Sequence, residues 1–171
     1  ARIIAQAVYY FYSYFKLGTK TISFSVPTGN FGDVFAGYLA KKMGLPIDKL
    51  VVETNENDIL HRAISKGDYV SKEVKETLSP SMDIQLASNF ERLIYYVNNS
   101  DSEKTAEIMK KVKQNSYQIE KNNLDIIQKD FLSESCNEQE TLDIIKKNHE
   151  ENNIILDPHT AVGGGAAKKI S

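Results

Sequence analysis

Ser25-Val26-Pro27-Thr28-Gly29-Asn30-Phe31-Gly32-Asp33 places a strand exit, two glycines and a helix start in immediate succession. Residues 22–26 are a short run with β-branched and aromatic side chains that stops at Pro27, and residues 34–43 have helical spacing with a stop at Gly44 and Pro46. Between them the backbone has to turn sharply and open a helix. Gly29 and Gly32 can take a positive φ or let a ligand approach the main chain, and free N–H groups at a helix N-terminus attract a phosphate or carboxylate. Two readings stand for these residues alone. One is an anion-binding turn; the other is an ordinary connection that uses glycine for geometry and Asn30 or Asp33 as a cap. The common nucleotide loops do not match. A P-loop needs Lys-Ser/Thr after its second glycine where this chain has Asp33-Val34, and a dinucleotide fingerprint needs more than Gly29-x-x-Gly32.

Residues 49–53 (Lys-Leu-Val-Val-Glu) form a second short apolar strand, so strand, helix and strand follow each other as in a parallel βαβ unit. Ligands of open α/β sheets sit beyond the carboxyl ends of the strands. Two segments occupy that position: the glycine turn, and Thr54-Asn55-Glu56-Asn57-Asp58 ahead of a helix at 59–65. A cap and an Asx turn account for the second segment equally well.

Upstream, Ile3, Ile4, Ala7, Val8, Phe11 and Phe15 fall at helical spacing before Gly18, which predicts a largely buried helix over 1–17. Its tyrosines lack interleaved basic residues and read as packing rather than base stacking. Downstream, Gly67-Asp68-Tyr69-Val70 turns the chain and Ser79-Pro80-Ser81-Met82-Asp83-Ile84 is irregular. Ser88-Asn89-Phe90-Glu91 has capping-box spacing ahead of 92–97, and Asn137-x-x-Glu140 has it ahead of 141–150. Residues 103–130 read as solvated helices, 131–136 as a short edge strand, and Asp157-Pro158 as the cap and first residue of a last helix. Gly163-Gly164-Gly165 within it permits close packing or ligand approach.

Composition narrows the function classes. The 171 residues, 41% hydrophobic and 26% charged, suit one globular domain. A net charge of −2 does not fit a strongly basic nucleic-acid binder, although residues 1–50 alone carry +4, which suits an anionic ligand near the glycine turn. The single cysteine, Cys136, excludes an intrachain disulfide and makes a reducing, cytoplasmic setting the simplest reading. His61, His149 and His159 form no metal-binding spacing, and no stretch reaches the roughly 18 apolar residues of a membrane span. Opening on Ala1 inside a helical pattern and stopping at Ser171 in another, the chain is expected to be a piece of a longer one.

Five segments occur in an order that resembles the threonine synthases of bacteria and fungi, pyridoxal-phosphate enzymes of the tryptophan-synthase-β-like superfamily, fold type II. They are Ala1-Arg2-Ile3-Ile4-Ala5-Gln6-Ala7-Val8-Tyr9-Tyr10-Phe11, the glycine turn, Thr54 to Asp58, Ser79 to Ile84 with Ser88-Asn89-Phe90-Glu91-Arg92, and Leu156-Asp157-Pro158-His159-Thr160-Ala161-Val162-Gly163. The glycine turn marks the superfamily; the Ser-Pro-Ser-Met-Asp-Ile and Ser-Asn-Phe-Glu-Arg pieces carry the narrower resemblance.

The resemblance implies an α/β fold with an open, mainly parallel twisted sheet covered by helices, residues 1–171 being part of the large pyridoxal-phosphate-binding domain. It implies that Gly29, Asn30, Phe31, Gly32 and Asp33 hold the 5′-phosphate of pyridoxal phosphate. The implied reaction converts O-phospho-L-homoserine and water to L-threonine and phosphate, with the cofactor as electron sink. Asn55, Asn57, Asp58, Ser79, Ser81 and Asp83 match motifs that border the cleft, with substrate contact and capping both open as roles. The Schiff-base lysine of the family is expected before Ala1, and a hydroxyl residue facing the pyridine nitrogen after Ser171. No catalytic residue is therefore expected in this chain, which needs the missing parts of its own polypeptide and is implied to be monomeric when complete, with no membrane or nucleic-acid partner. Two rivals remain. A serine/threonine dehydratase or other fold type II enzyme would share the glycine turn but lack the two narrower pieces; a non-catalytic relative would bind an anion without chemistry.

Overall fold

The computed structural model describes residues 2–170, without the side chains of residues 166–168 and 170. Ala1 and Ser171, where the first and last helices were expected to be cut, lie outside the described residues. The elements in order are α1 (Arg2–Leu17), β1 (Ile22–Pro27), α2 (Gly32–Lys42), β2 (Ile47–Thr54), α3 (Ile59–Lys66), a 3-10 turn at Pro80–Met82, α4 (Phe90–Val97), α5 (Ser102–Lys113), α6 (Lys121–Asp130), β3 (Phe131–Ser135), α7 (Glu138–Asn152) and α8 (Pro158–Ile170).

The three strands pair in parallel in the order β1-β2-β3, with Val26 opposite Val52 and Val52 opposite Ser133. β2 is central and accordingly buries Leu50, Val51, Val52, Glu53 and Thr54. Its pleat sends Leu50 and Val52 into the main core with Phe31, Phe35, Tyr38, Phe90, Leu93 and Phe131. Residues of the other parity, Ser25, Pro27 and Glu53, meet Gly163 of α8. An open parallel sheet with helices on both faces is therefore present, as expected.

Local chemistry explains most boundaries. Met43 closes α2 with its N–H on the Leu39 carbonyl, and Gly67 ends α3 at φ 77°, where glycine is unstrained. Asn137 and Glu140 form the expected capping box, Asn137 Oδ1 accepting from the Glu140 N–H at 2.9 Å and Glu140 Oε2 from the Asn137 N–H at 2.9 Å. Asp157 Oδ1 accepts from the N–H groups of His159 and Thr160 and starts α8. Two of the three consecutive glycines serve close packing: a Cβ on Gly163 would stand 3.2 Å from Pro27 and one on Gly165 2.5 Å from Ile144, while Gly164 has open space.

Two sequence expectations need correction. α1 is not largely buried: only Ala7 and Tyr10 are buried, while Ile4, Val8, Tyr9, Tyr12, Phe15 and Leu17 are exposed, because α1 rests on α2 along one narrow face. The box expected at Ser88 and Glu91 does not form. Asn89 takes the N-cap position of α4 without a side-chain bond, and Ser88 gives its N–H and hydroxyl to Asn30 Oδ1 at 3.3 and 3.4 Å. A long-range contact has displaced the local one.

Candidate anion and cofactor site

Thr28 follows β1, and its N–H donates to the Glu53 carbonyl at 2.7 Å, so the chain leaves the sheet only at Gly29. Three residues later α2 begins. The residue with the positive φ is neither glycine but Phe31, at φ 64° and ψ 9°. A bulky side chain in this region costs of order 1–3 kcal/mol. The ring compensates by burying completely, edge-on to Phe90 with centroids 5.0 Å apart and 5.7 Å from Phe131. Phe31 thereby anchors the turn while the backbone on either side stays at the surface.

Gly29 is required for proximity. A Cβ there would stand 2.5 Å from the Ser81 carbonyl oxygen, 3.2 Å from Ile84 and 3.3 Å from the Met82 Cα. Gly32 is less confined, its nearest neighbour being Asn89 Nδ2 at 3.4 Å. Neither Asn30 nor Asp33 caps α2, in contrast to the ordinary-turn reading; the N-cap is Phe31 and makes no side-chain bond. Asn30 is held by its neighbours instead, its carbonyl accepting from the Asn89 N–H at 3.2 Å and from Asn89 Nδ2 at 3.0 Å.

The first intrahelical bond of α2 is donated by Phe35 to the Phe31 carbonyl at 3.2 Å. The N–H groups of Gly32, Asp33 and Val34 precede it and have no acceptor within the helix. Gly32 and Asp33 line a cavity of about 1230 Å³ to which Thr28, Asn30, Ser81 and Asn89 also contribute, whereas Val34 is buried. This is the arrangement that binds an anion through backbone dipoles. Asp33 is the one acid in this first turn. Desolvation pushes its carboxyl above the ordinary value, and the Tyr10 hydroxyl partly offsets the effect. That hydroxyl donates to the Asp33 carbonyl at 2.9 Å, and burial together with Asp33 pushes its own pKa up.

Most of the residues expected to border the cleft lie behind the turn. Asn55, Asn57, Ser79 and Asp83 come together in one hydrogen-bonded group with Thr77: Asn55 Nδ2 donates to Asp83 Oδ1 at 2.7 Å and to Ser79 Oγ at 3.0 Å, and Asn57 Nδ2 to Asp83 Oδ1 at 3.1 Å. Asn57 N–H also donates to Asn55 Oδ1 at 2.9 Å, an Asx turn. None of these four lines the large cavity, whereas Ser81 does. Asp58 stands apart, at 2.9 Å from Arg62 Nε and 3.4 Å from Lys72 Nζ. Burial opposes its charge, but Arg62 and then Lys72 outweigh that and hold the carboxyl below its usual range.

Sequence reasoning missed Tyr10, which it treated only as packing, and Thr77, whose hydroxyl donates to Asp83 Oδ1 at 2.7 Å. Neither residue stands in a local motif. Their roles come from contacts across 23 residues for Tyr10 and Asp33, and from a loop that folds back on itself for Thr77.

No family model matches the chain. Curated relatives do. The chain is 47% identical to the threonine synthase of Saccharomyces cerevisiae and 43% identical to that of Pseudomonas aeruginosa, in each case over 99% of this chain and 37% of the relative. A crystal structure of pyridoxal-phosphate-bound threonine synthase from Brucella melitensis superposes with a TM-score of 0.96 at 42% identity, covering 99% of this chain and 37% of that one. The threonine synthase structure from yeast gives 0.93 at 45% identity. The chain thus spans 37% of the length of each of these relatives, and the resemblance read from the five segments is borne out. Over nearly all of its length this chain is similar, in sequence and in fold, to a segment of the threonine synthases.

Proposed function

We propose that the chain carries the phosphate cradle of a pyridoxal-phosphate enzyme, and that the protein containing it is a threonine synthase, a lyase converting O-phospho-L-homoserine and water to L-threonine and phosphate. The observation that carries this reading is the free first turn of α2, opening on the large cavity in a chain whose structural neighbour binds pyridoxal phosphate.

The residues fit the group. Gly29, Asn30, Phe31, Gly32 and Asp33 would hold its 5′-phosphate, mainly through the N–H groups at the start of α2, and the cavity exceeds the roughly 300–1,000 Å³ of typical small-molecule sites. The bound cofactor would supply an electron sink for carbanionic character on the substrate. What this chain contributes is orientation. Phe31 fixes the turn to the core, Gly29 lets the Ser79–Asp83 strap lie directly on it, and Tyr10 ties α1 to Asp33. Ser81 borders the cavity where substrate would meet cofactor, while Asn55, Asn57, Ser79 and Asp83 support it from behind and Asp58 braces α3.

The cofactor-bearing lysine is supplied outside these residues, so activity belongs to the complete polypeptide, which we take to be a cytoplasmic monomer. Equilibrium binding of pyridoxal phosphate to the complete protein tests the cradle: Gly29→Val and Gly32→Val are expected to weaken it, and unchanged cofactor absorbance in both would contradict the assignment.

A further inference from the structure

Between α3 and α4, residues 71–88 contain neither strand nor α-helix, yet they form one wall of the glycine turn. Their order comes from side chains. Asn57 makes a two-way pair with the Lys75 main chain, accepting its N–H at 2.9 Å and donating to its carbonyl at 2.9 Å, as a neighbouring strand would. At the centre is Asp83. Its Oδ1 accepts from Asn55 Nδ2 at 2.7 Å, Asn57 Nδ2 at 3.1 Å and the Thr77 hydroxyl at 2.7 Å, and its Oδ2 accepts the Thr77 N–H at 2.9 Å. Four donors from three residues thus converge on one carboxylate.

The far side of the same strap is pressed on Gly29, with the Ser81 carbonyl 2.5 Å from the place a Cβ would take. The strap cannot shift without either opening the turn or breaking the group around Asp83. Hydrogen-bonded polar networks of this kind can be worth more than the sum of their pairs.

We propose that Asp83 is a positioning residue: through Thr77, Asn55 and Asn57 it holds the strap on the glycine turn, so that order in the strap and anion affinity at the turn rise and fall together. This rests on the reading of the turn as a cofactor-phosphate site. Any ligand that binds the packed turn better than the loosened one is coupled to the strap by the same free energy in both directions.

The test uses the complete protein, with pyridoxal phosphate as probe and two readouts: its dissociation constant, and trypsin cleavage at the exposed Lys72 and Lys75 with and without it. Asp83→Asn puts an amide donor among donors; Thr77→Val removes one donor at nearly constant volume, and Thr77→Ser restores it. Asp83→Asn and Thr77→Val are expected to lose about tenfold in affinity, within the usual range of such couplings, and to be cleaved faster. Thr77→Ser and the exposed-strap control Glu73→Gln are expected to match wild type in both readouts. Faster cleavage with affinity within twofold of wild type overturns the proposal, and so does lost affinity with unchanged cleavage. If Asp83→Asn does not fold, the two Thr77 variants decide. A wild-type protein that binds no pyridoxal phosphate overturns the cofactor reading itself, and this inference with it.

Discussion

The Ser81 carbonyl oxygen lies 2.5 Å from the position a Cβ would occupy on Gly29, so the strap and the glycine turn are in direct backbone contact. Gly29→Ala therefore forces one of two main-chain segments to move, and overpacking of this kind costs about 1–3 kcal/mol. Chemical denaturation of the complete protein should show that loss together with weaker pyridoxal-phosphate binding. Gly32→Ala, with its nearest neighbour at 3.4 Å, should cost less stability. Equal effects at the two glycines would contradict the packing argument.

Tyr10 is one of the two buried residues of α1, and its ring fills the space left by Gly37, where a Cβ would stand 2.5 Å away. Tyr10→Phe keeps the ring and removes the hydroxyl that donates to the Asp33 carbonyl, for an expected loss of about 1 kcal/mol. Gly37→Ala should cost more, since it meets both Tyr10 and Leu50. Denaturant midpoints of the two variants check the order.

The two capping-box sequences are expected to behave differently. Asn137→Ala removes a formed cap and should cost about 1 kcal/mol. Glu91→Ala removes a side chain that caps nothing, and should stay within about 0.5 kcal/mol of wild type. Thermal unfolding of both variants distinguishes the formed cap from the one that exists only as a spacing.

Arg62 is buried between Asp58 and Asp68, with Nη1 at 2.5 Å from Asp68 Oδ2 and Nη2 donating to the Val70 carbonyl at 2.8 Å. The Asp58 carboxyl is held below its usual value, so the folded state binds this proton less readily than the unfolded one. Its contribution is complete above the unfolded aspartate value of about 3.9 and is lost as pH falls from there through the lowered folded value. Asp58→Asn should therefore lower the melting temperature at neutral pH, with the gap to wild type narrowing below about pH 4. A gap that stays constant into acid would contradict the assignment.

Much of this was legible in the sequence because the informative residues are local. Pro27 and Gly44 bracket β1 and α2, Asn137 and Glu140 sit three apart, and Asp157-Pro158 marks the start of α8. Residues whose roles depend on distant partners were not legible. Phe31 takes the positive φ expected of a glycine because Phe90 and Phe131 hold its ring, and Ser88 abandons its own helix for Asn30. The exposed face of α1 was misread because Ile4, Val8 and Phe15 look like core from spacing alone, while only the Ala7 and Tyr10 side meets α2. For the same reason Asn55, Asn57 and Asp83 were named as cleft-bordering residues in two separate segments, without any sign that their polar atoms are spent on one another.

If the first turn of α2 holds the cofactor phosphate of a threonine synthase, the complete protein should turn over O-phosphohomoserine only with pyridoxal phosphate bound. The most direct measurement is phosphate release and threonine formation from O-phosphohomoserine by the complete protein, before and after removal of pyridoxal phosphate. Both products are expected in equal amounts, lost on removing the cofactor and restored on its return. Deamination of serine or threonine with no phosphate released from O-phosphohomoserine, or turnover that survives cofactor removal, would contradict it.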